Sequence, residues 1–478
     1  MYNFKKIAKT LVLAAALTGF MASSSFIPNS LGMGGQAFAQ VTWEAEAARS
    51  AAALAASNKR PKVRTSGFSE RVYKILSKAT EYMDMEPPQY AEALEILKKQ
   101  NLDRVTTTER ISFYQMMAGI SQNTGKYDEA LGYYQKILKE DGVSYAMKDS
   151  VTFIVGQLLF QKDDFEGSLR LLNEWLKYQA NPSVSNIVFM SNVYYSLGAE
   201  DGASDAVKEK NFRIAIANLN WVIKKSELEG NEVKENWYAF LRMLHNSLDD
   251  EKETLEIAEL LTSRWPKKEY WTQLSGLYAQ KAATPGLKAA EVSELEAKQI
   301  ATYELAYRQG MLDKGRELES MAQLYLYHEM PFNSSKVMAK SLKDKISKES
   351  EKNLDLLALG YIIGKDSKKA IAPLEKAAKL SDDGNLYIRL ANVYLNLDMY
   401  QEAADSIGKG LAKGGVKRAD QSSFLQGQAY MALEKFDDAR KSFREAAKDK
   451  RSEKTAKNWL KYLVSEEKRI KEIKEYLS

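Results

Sequence analysis

From Ile111 to Ser144 the chain reads "ISFYQMMAGISQNTGKYDEALGYYQKILKEDGVS", and its apolar positions recur at helical spacing twice over. Tyr114, Met117, Ala118 and Ser121 share one face of a first helix. After the break at "NTGK", Tyr127, Ala130, Leu131, Tyr134 and Ile137 line a face of a second. Steps of three and four place side chains on one side of a helix, so the pattern predicts two amphipathic helices joined by a short turn. Helices of this length cannot bury their apolar stripes by themselves, and a neighbouring copy must cover them.

The same frame returns along the chain. From Asp149 it gives Val155, Gly156, Leu159, Phe165, Ser168 and Leu172; from Glu351, Leu357, Ala358, Tyr361, Ala370, Leu374 and Ala377. From Gly384 it gives Leu390, Ala391, Tyr394, Tyr400, Ala403 and Ile407; from Asp420, Gly427, Tyr430, Phe436, Ala439, Phe443 and Ala446. Small residues fall at the eighth and twentieth places, where two helix backbones approach closely. Large ones at the fourth, eleventh, seventeenth and twenty-fourth fill the gaps. A helix–turn–helix unit of about 34 residues with this spacing resembles the tetratricopeptide repeat. Further copies begin near Tyr73, Val184, Glu235, Lys268 and Gly315. The copy from Glu235 departs from the pattern, with His245 in place of an aromatic residue and Thr254 in place of alanine. The expectation is an all-α, right-handed superhelical solenoid of about ten such repeats over residues 69–450. A charged helix over 451–478, with Trp459, Leu460 and Leu463 on one side, is expected to cap it.

Residues 1–39 carry a different pattern. Lys5, Lys6 and Lys9 precede the apolar run "LVLAAALTGFMA", and "AFA" (Ala37 to Ala39) offers a cleavage site. This is the layout of a secretory signal peptide, and the run is too short to span a membrane. Cleavage nearer Ser24 is the second reading. The segment 40–68, with an alanine-rich run and the basic stretch "NKRPKVR", is expected to be a poorly ordered arm. Its four basic residues are the lower limit of the clusters that attract anionic headgroups, so peripheral membrane contact is a weaker reading of the arm. Two copies hold insertions, Ala199 to Lys210 and one within Lys281 to Lys298. Insertions in such arrays go to loops on one face, as functional segments or as tolerated length.

Composition narrows the chemistry. Without the leader the chain keeps 66 basic and 64 acidic side chains, a balance that gives no reason to expect nucleic acid as partner. With no cysteine there is no disulfide, thiolate metal site or thiol nucleophile. The two histidines, His245 and His328, lie in different copies and lack metal-ligand spacing, so they read as packing or surface residues. The glycine-rich "GKGLAKGG" (Gly408 to Gly415) ends a helix and follows no strand, which fits a turn better than a phosphate loop. No G-x-S-x-G elbow is present. The reading is therefore of a non-enzyme that uses neither cofactor nor metal.

Binding is what is left. In the tetratricopeptide pattern the ninth residue of each first helix points into the concave groove. Here the candidates are Gln157, Asn192, Gln323, Asn392 and Gln428, with Arg389 beside Asn392 as a carboxylate contact. Amides donate and accept, which suits the backbone of a bound protein or peptide segment, and a guanidinium can hold a carboxylate in bidentate fashion. Phe153, Phe160, Phe189 and Tyr195 occupy neighbouring positions, either as apolar anchors or as packing between helices.

Five stretches extend the likeness beyond the repeat itself. They are "SERVYKILSKATEYMD" (Ser69 to Asp84), "PKKEYWTQLSGLY" (Pro266 to Tyr278), "AYRQGML" (Ala306 to Leu312), "PLEKAAKLSDDGNLYIRLANVYL" (Pro373 to Leu395) and "FREAAKDKRSEKTAKNWLKYL" (Phe443 to Leu463). With them the chain resembles the periplasmic tetratricopeptide proteins encoded beside TonB, ExbB and ExbD genes. The resemblance implies a periplasmic accessory of a TonB energy-transduction system, with the periplasmic regions of TonB or ExbD as partners and no catalytic residues. The rival reading is an envelope-assembly factor for outer-membrane proteins or polysaccharide export.

Overall fold

The computed structural model describes residues 43–63 and 66–477, so the expected signal peptide over 1–39 lies outside the described residues. Among the described residues there are 22 α-helices and no strand, and no helix is long and apolar enough to cross a membrane. The chain forms two compact units, one of residues up to Ala203 with Arg213–Lys225, the other of Ser204–Phe212 with Ser226–Ser478.

In the first unit, helix α1 (Trp43–Asn58) precedes the pairs α2 (Glu70–Met83) with α3 (Tyr90–Lys98), α4 (Thr107–Asn123) with α5 (Tyr127–Lys139) and α6 (Tyr145–Gln161) with α7 (Phe165–Leu176). Helix α8 (Val184–Gly198) packs on α7, and α9 (Asp205–Leu228) follows, with Arg213–Lys225 in this unit and its two ends in the other. The second unit contains α10 (Glu235–Ser247), α11 (Glu251–Arg264), α12 (Lys268–Ala282), α13 (Ala289–Arg308), α14 (Gly315–Tyr327), α15 (Pro331–Lys343), α16 (Glu351–Ile363) and α17 (Ser367–Leu380). It continues with α18 (Asn385–Leu395), α19 (Tyr400–Lys413), α20 (Ala419–Ala432), α21 (Phe436–Ala446) and α22 (Lys450–Leu477). Among the described residues, consecutive helices pack as nine pairs, α2/α3, α4/α5, α6/α7 and the six from α10/α11 to α20/α21.

The small-and-large frame accounts for the packing. Ala118, Ala358, Ala370, Ala377, Ala439 and Phe443 are fully buried. At Gly427 an added Cβ would sit 2.6 Å from the Phe443 ring, so only glycine admits that ring. Where serine replaces alanine at the twentieth place, its hydroxyl is satisfied across the pair: Ser168 Oγ donates to the Gly156 carbonyl at 2.7 Å. Residues one repeat apart also meet through polar atoms. Asn353 Nδ2 donates to Glu319 at 2.8 Å, and Lys162 bonds Asp128.

The turn inside seven of the pairs has a constant construction. Gly125, Asp163, Asp249, Glu329, Lys365, Asp398 and Glu434 all have positive φ and stand two residues before a second helix. The next backbone N–H bonds back to the carbonyl of the eleventh-place residue, as in Lys126 to Ser121 (2.7 Å), Asp164 to Leu159 (3.0 Å), Asp366 to Tyr361 (2.9 Å) and Lys435 to Tyr430 (2.9 Å). This closure satisfies a carbonyl that the helix end would leave open.

The arm and the insertions differ from expectation, and the cap agrees with it. Where a poorly ordered arm is expected over 40–68, the structure has α1, because the alanine-rich run has the highest helix propensity of any residue type. Ala53 of α1 is buried. The insertions are not simple loops. Part of each extends the following helix, making α9 24 residues and α13 20 residues long, against 11 for α21. The helix expected over 451–478 forms as α22, and Trp459 packs edge-on to Phe424 and tilted on Phe443, each with ring centroids 5.6 Å apart.

Candidate functional site

Helices α12, α13 and α14 enclose a surface cavity of about 430 Å³ in the second unit. Ala279 and Ala282 of α12 form its apolar floor, Glu296 and Gln299 come from the lengthened α13, and Ser320, Gln323 and Tyr327 come from α14. Small residues on α12 keep the space open because alanine side chains do not reach across it. The Tyr327 hydroxyl donates to Glu296 at 2.5 Å, and this bond raises the phenol above its usual pKa of 10. Gln323 is exposed, and its side chain makes no hydrogen bond among the described residues. Two amides, two hydroxyls and a carboxylate over an alanine floor can donate to and accept from an extended backbone.

The six residues singled out from sequence fall into two groups. Gln157 and Asn192 belong to the first unit, and Gln323, Arg389, Asn392 and Gln428 to the second. None of them hydrogen-bonds another. Among the described residues, Gln157, Gln323, Asn392 and Gln428 make no side-chain hydrogen bond; Gln323 and Asn392 are exposed, and Gln157 and Gln428 are half-buried. Asn192 instead donates to the Val188 carbonyl of its own helix at 2.9 Å, which occupies one of its two N–H groups. Arg389 stands one turn before Asn392 on α18, but its guanidinium is bonded to Asp355 of α16. As a carboxylate receptor Arg389 is therefore already engaged.

Three of the four aromatic residues, Phe153, Phe160 and Phe189, resolve as packing. Phe153 contacts Trp175 and Phe189 with centroids 4.7 and 5.8 Å apart, and Phe160 contacts Phe165 and Phe189 at 5.5 and 5.3 Å. His245 is buried, and its Nδ1 lies 2.8 Å from Asp250 Oδ2 across the turn between α10 and α11. Its Nε2 is buried and has no hydrogen-bond partner among the described residues. Ligand atoms of His245, Asp250 and Glu253 lie within 4.8 Å of one another, and the His245–Asp250 pair braces the same turn that the backbone closure shapes.

Glu296, Gln299 and Tyr327 were not picked out from sequence. The insertion over Lys281 to Lys298 was the available signal for Glu296. Tyr327 had none, because an exposed tyrosine at a helix end looks like any other.

Residues 424–460, from the middle of α20 through α21 into α22, match the family model described as Tetratricopeptide repeat. No curated protein sequence matches the chain. Among solved structures, a tetratricopeptide repeat protein from Parabacteroides merdae is 14% identical over 75% of this chain and 99% of its own, with a TM-score of 0.32. The TPR2AB domain of yeast Sti1, solved in complex with pHSP90, is 15% identical over 60% of this chain and 99% of its own, with a TM-score of 0.31. MamA is 17% identical over 38% of this chain and 94% of its own, also at 0.31. None of the three reaches a TM-score of 0.5. The tetratricopeptide repeat is thus present by sequence in the last helix pair, and the same small-and-large frame packs the pairs before it.

Proposed function

We propose that this chain is a non-catalytic scaffold that binds an extended segment of a partner protein along the first helices of its pairs. The observation that carries the reading is the set of unpartnered amides in the second unit, Gln323, Asn392 and Gln428, with Gln323 opening on the cavity beside Glu296. A preformed surface of this kind loses little entropy on binding, and its amides set register along a peptide backbone. The setting we propose is the periplasm, as an accessory of a TonB–ExbB–ExbD system. What supports that setting is the leader-like pattern of residues 1–39, the absence of cysteine and the five stretches of family likeness.

The test is in-cell crosslinking with partners identified by mass spectrometry, repeated with Gln323→Ala and Asn392→Ala together. Recovery of TonB or ExbD periplasmic segments, lost in the double variant, is the expected result. Recovery that the variant leaves unchanged overturns the amide surface. Recovery of outer-membrane assembly factors instead overturns the TonB setting. Fractionation of the tagged full chain tests location separately: retention in the cytoplasm at full length would rule out export.

A further inference from the structure

A second feature lies in the first unit and uses none of the candidate amides. Arg60 follows α1 and reaches into a cage built wholly from α6 and the residues after α7. Its Nη1 and Nη2 bond the two oxygens of Asp149 at 2.7 and 2.9 Å. Its guanidinium carbon lies 3.5 Å from the Tyr178 ring centroid and 4.8 Å from that of Tyr145. Both charged side chains are largely buried, 13% and 19% exposed. The Gln179 amide makes a long contact to Asp149 as well, at 3.5 Å. A planar fork held by a carboxylate and covered by aromatic faces is a geometry that arginine satisfies and lysine does not.

The occupant does not belong to the repeats. The repeat frame begins near residue 69, and the cage residues lie 85 or more positions beyond Arg60 in the chain, Asp149 at a separation of 89. Helix α1 is fastened at one further point, where Arg49 donates to the carbonyls of Gln179 (2.9 Å) and Ala180 (3.4 Å). Pro61 directly after Arg60 disfavours helix at that residue and so helps end α1 where the arginine must turn into the cage. Empty, the cage would leave a largely buried carboxylate without its cation, which is costly. The receptor is thus part of the array, and the ligand sits on a tether that supplies it at roughly millimolar effective concentration.

We propose that Tyr145, Asp149 and Tyr178 form an arginine-recognition site for a basic segment of a partner protein, held shut in cis by Arg60. Binding of the partner's arginine would release the tethered segment. The proposal stands apart from the amide surface, and either can fail alone.

The probe is a fluorescein-labelled peptide of residues 56–63, "ASNKRPKV", added to the full chain and followed by anisotropy. We expect it to bind the Arg60→Ala chain at least tenfold more tightly than the wild type, whose site is filled. Replacing the peptide's arginine by lysine, or adding Asp149→Asn to the chain, should weaken binding at least tenfold. Circular dichroism and melting confirm that each variant folds. If Arg60→Ala does not fold, Arg60→Lys, which keeps charge and loses the fork, opens the site instead. Equal binding to wild type and variant overturns the latch. Binding indifferent to Asp149→Asn or to the lysine peptide, or no binding to a folded open variant, overturns the recognition site.

Discussion

The pairs α20/α21 and α12/α13 follow one frame and put it to different uses. In α20/α21 the connection is short, residues 433–435, and the helices meet closely over Gly427, with Ala439, Phe443 and Ala446 fully buried. In α12/α13 the eighth place holds Ser275, whose hydroxyl donates to the Gln299 carbonyl at 3.0 Å, and the connection runs over residues 283–288. The lengthened α13 adds Glu296 and Gln299 to an open cavity. The difference teaches that the frame constrains only the positions between helices. Extra residues are free to carry polar groups to the surface without disturbing it.

The largest expected effect lies in the regular pair. Phe443→Ala removes a fully buried ring that contacts Phe424 and Trp459, and should cost about 4 kcal/mol by chemical denaturation. Leu295→Ala in α13, at the edge of a smaller cluster, should cost about half as much. Equal losses would mean that the two pairs are packed alike. Next, Gly427→Ala forces a methyl toward the Phe443 ring and should cost about 2 kcal/mol. Ser275→Ala forfeits one hydrogen bond, about 1 kcal/mol.

A pH experiment separates the pairs in another way. At the start of α20 the Asp420 carboxylate accepts from Arg418 at 3.0 and 2.8 Å and from Ser452 at 2.7 Å. Its pKa is held well below the ordinary 3.8, chiefly by the Arg418 hydrogen bonds. Because the folded value is depressed, the stabilisation is full above the unfolded value and is lost as pH falls below about 4. Asp420→Asn should lower the melting temperature at pH 6 and flatten its decline between pH 5 and 3. An unchanged decline would assign the acid sensitivity to other carboxylates.

These positions also mark how far the sequence could be read. The eighth and twentieth places, and the cap with Trp459, follow from spacing alone, since burial imposes size directly. The turn residues do not: of the seven with positive φ, only Gly125 announces itself, while Asp, Glu and Lys take the same conformation because the backbone closure demands it. The partner of Arg389 was legible in principle. Asp355 lies 34 positions upstream, one repeat period, where neighbouring copies face each other. The cage around Arg60 was not, because no local periodicity links residues 60, 145, 149 and 178. Among those turn residues a smaller effect is available. Glu434→Gly removes the Cβ penalty of a left-handed residue and should stabilise α20/α21 by roughly 1 kcal/mol, unless the Glu434–Lys474 ion pair contributes more than a surface pair usually does.

The smallest stability effect belongs to the cavity, and it sharpens the comparison most. Glu296→Gln keeps the shape of the side chain and can still accept from Tyr327, and both residues lie on an open surface. Its cost should be within about 0.5 kcal/mol, the range of surface substitutions. If the lengthened helix exists to present polar groups to a partner, the same change should reduce crosslinked partner several-fold while leaving the melting curve in place. A loss of stability comparable to that of Ser275→Ala would instead make Glu296 part of the packing of α13 and α14, and the two pairs would differ in length alone.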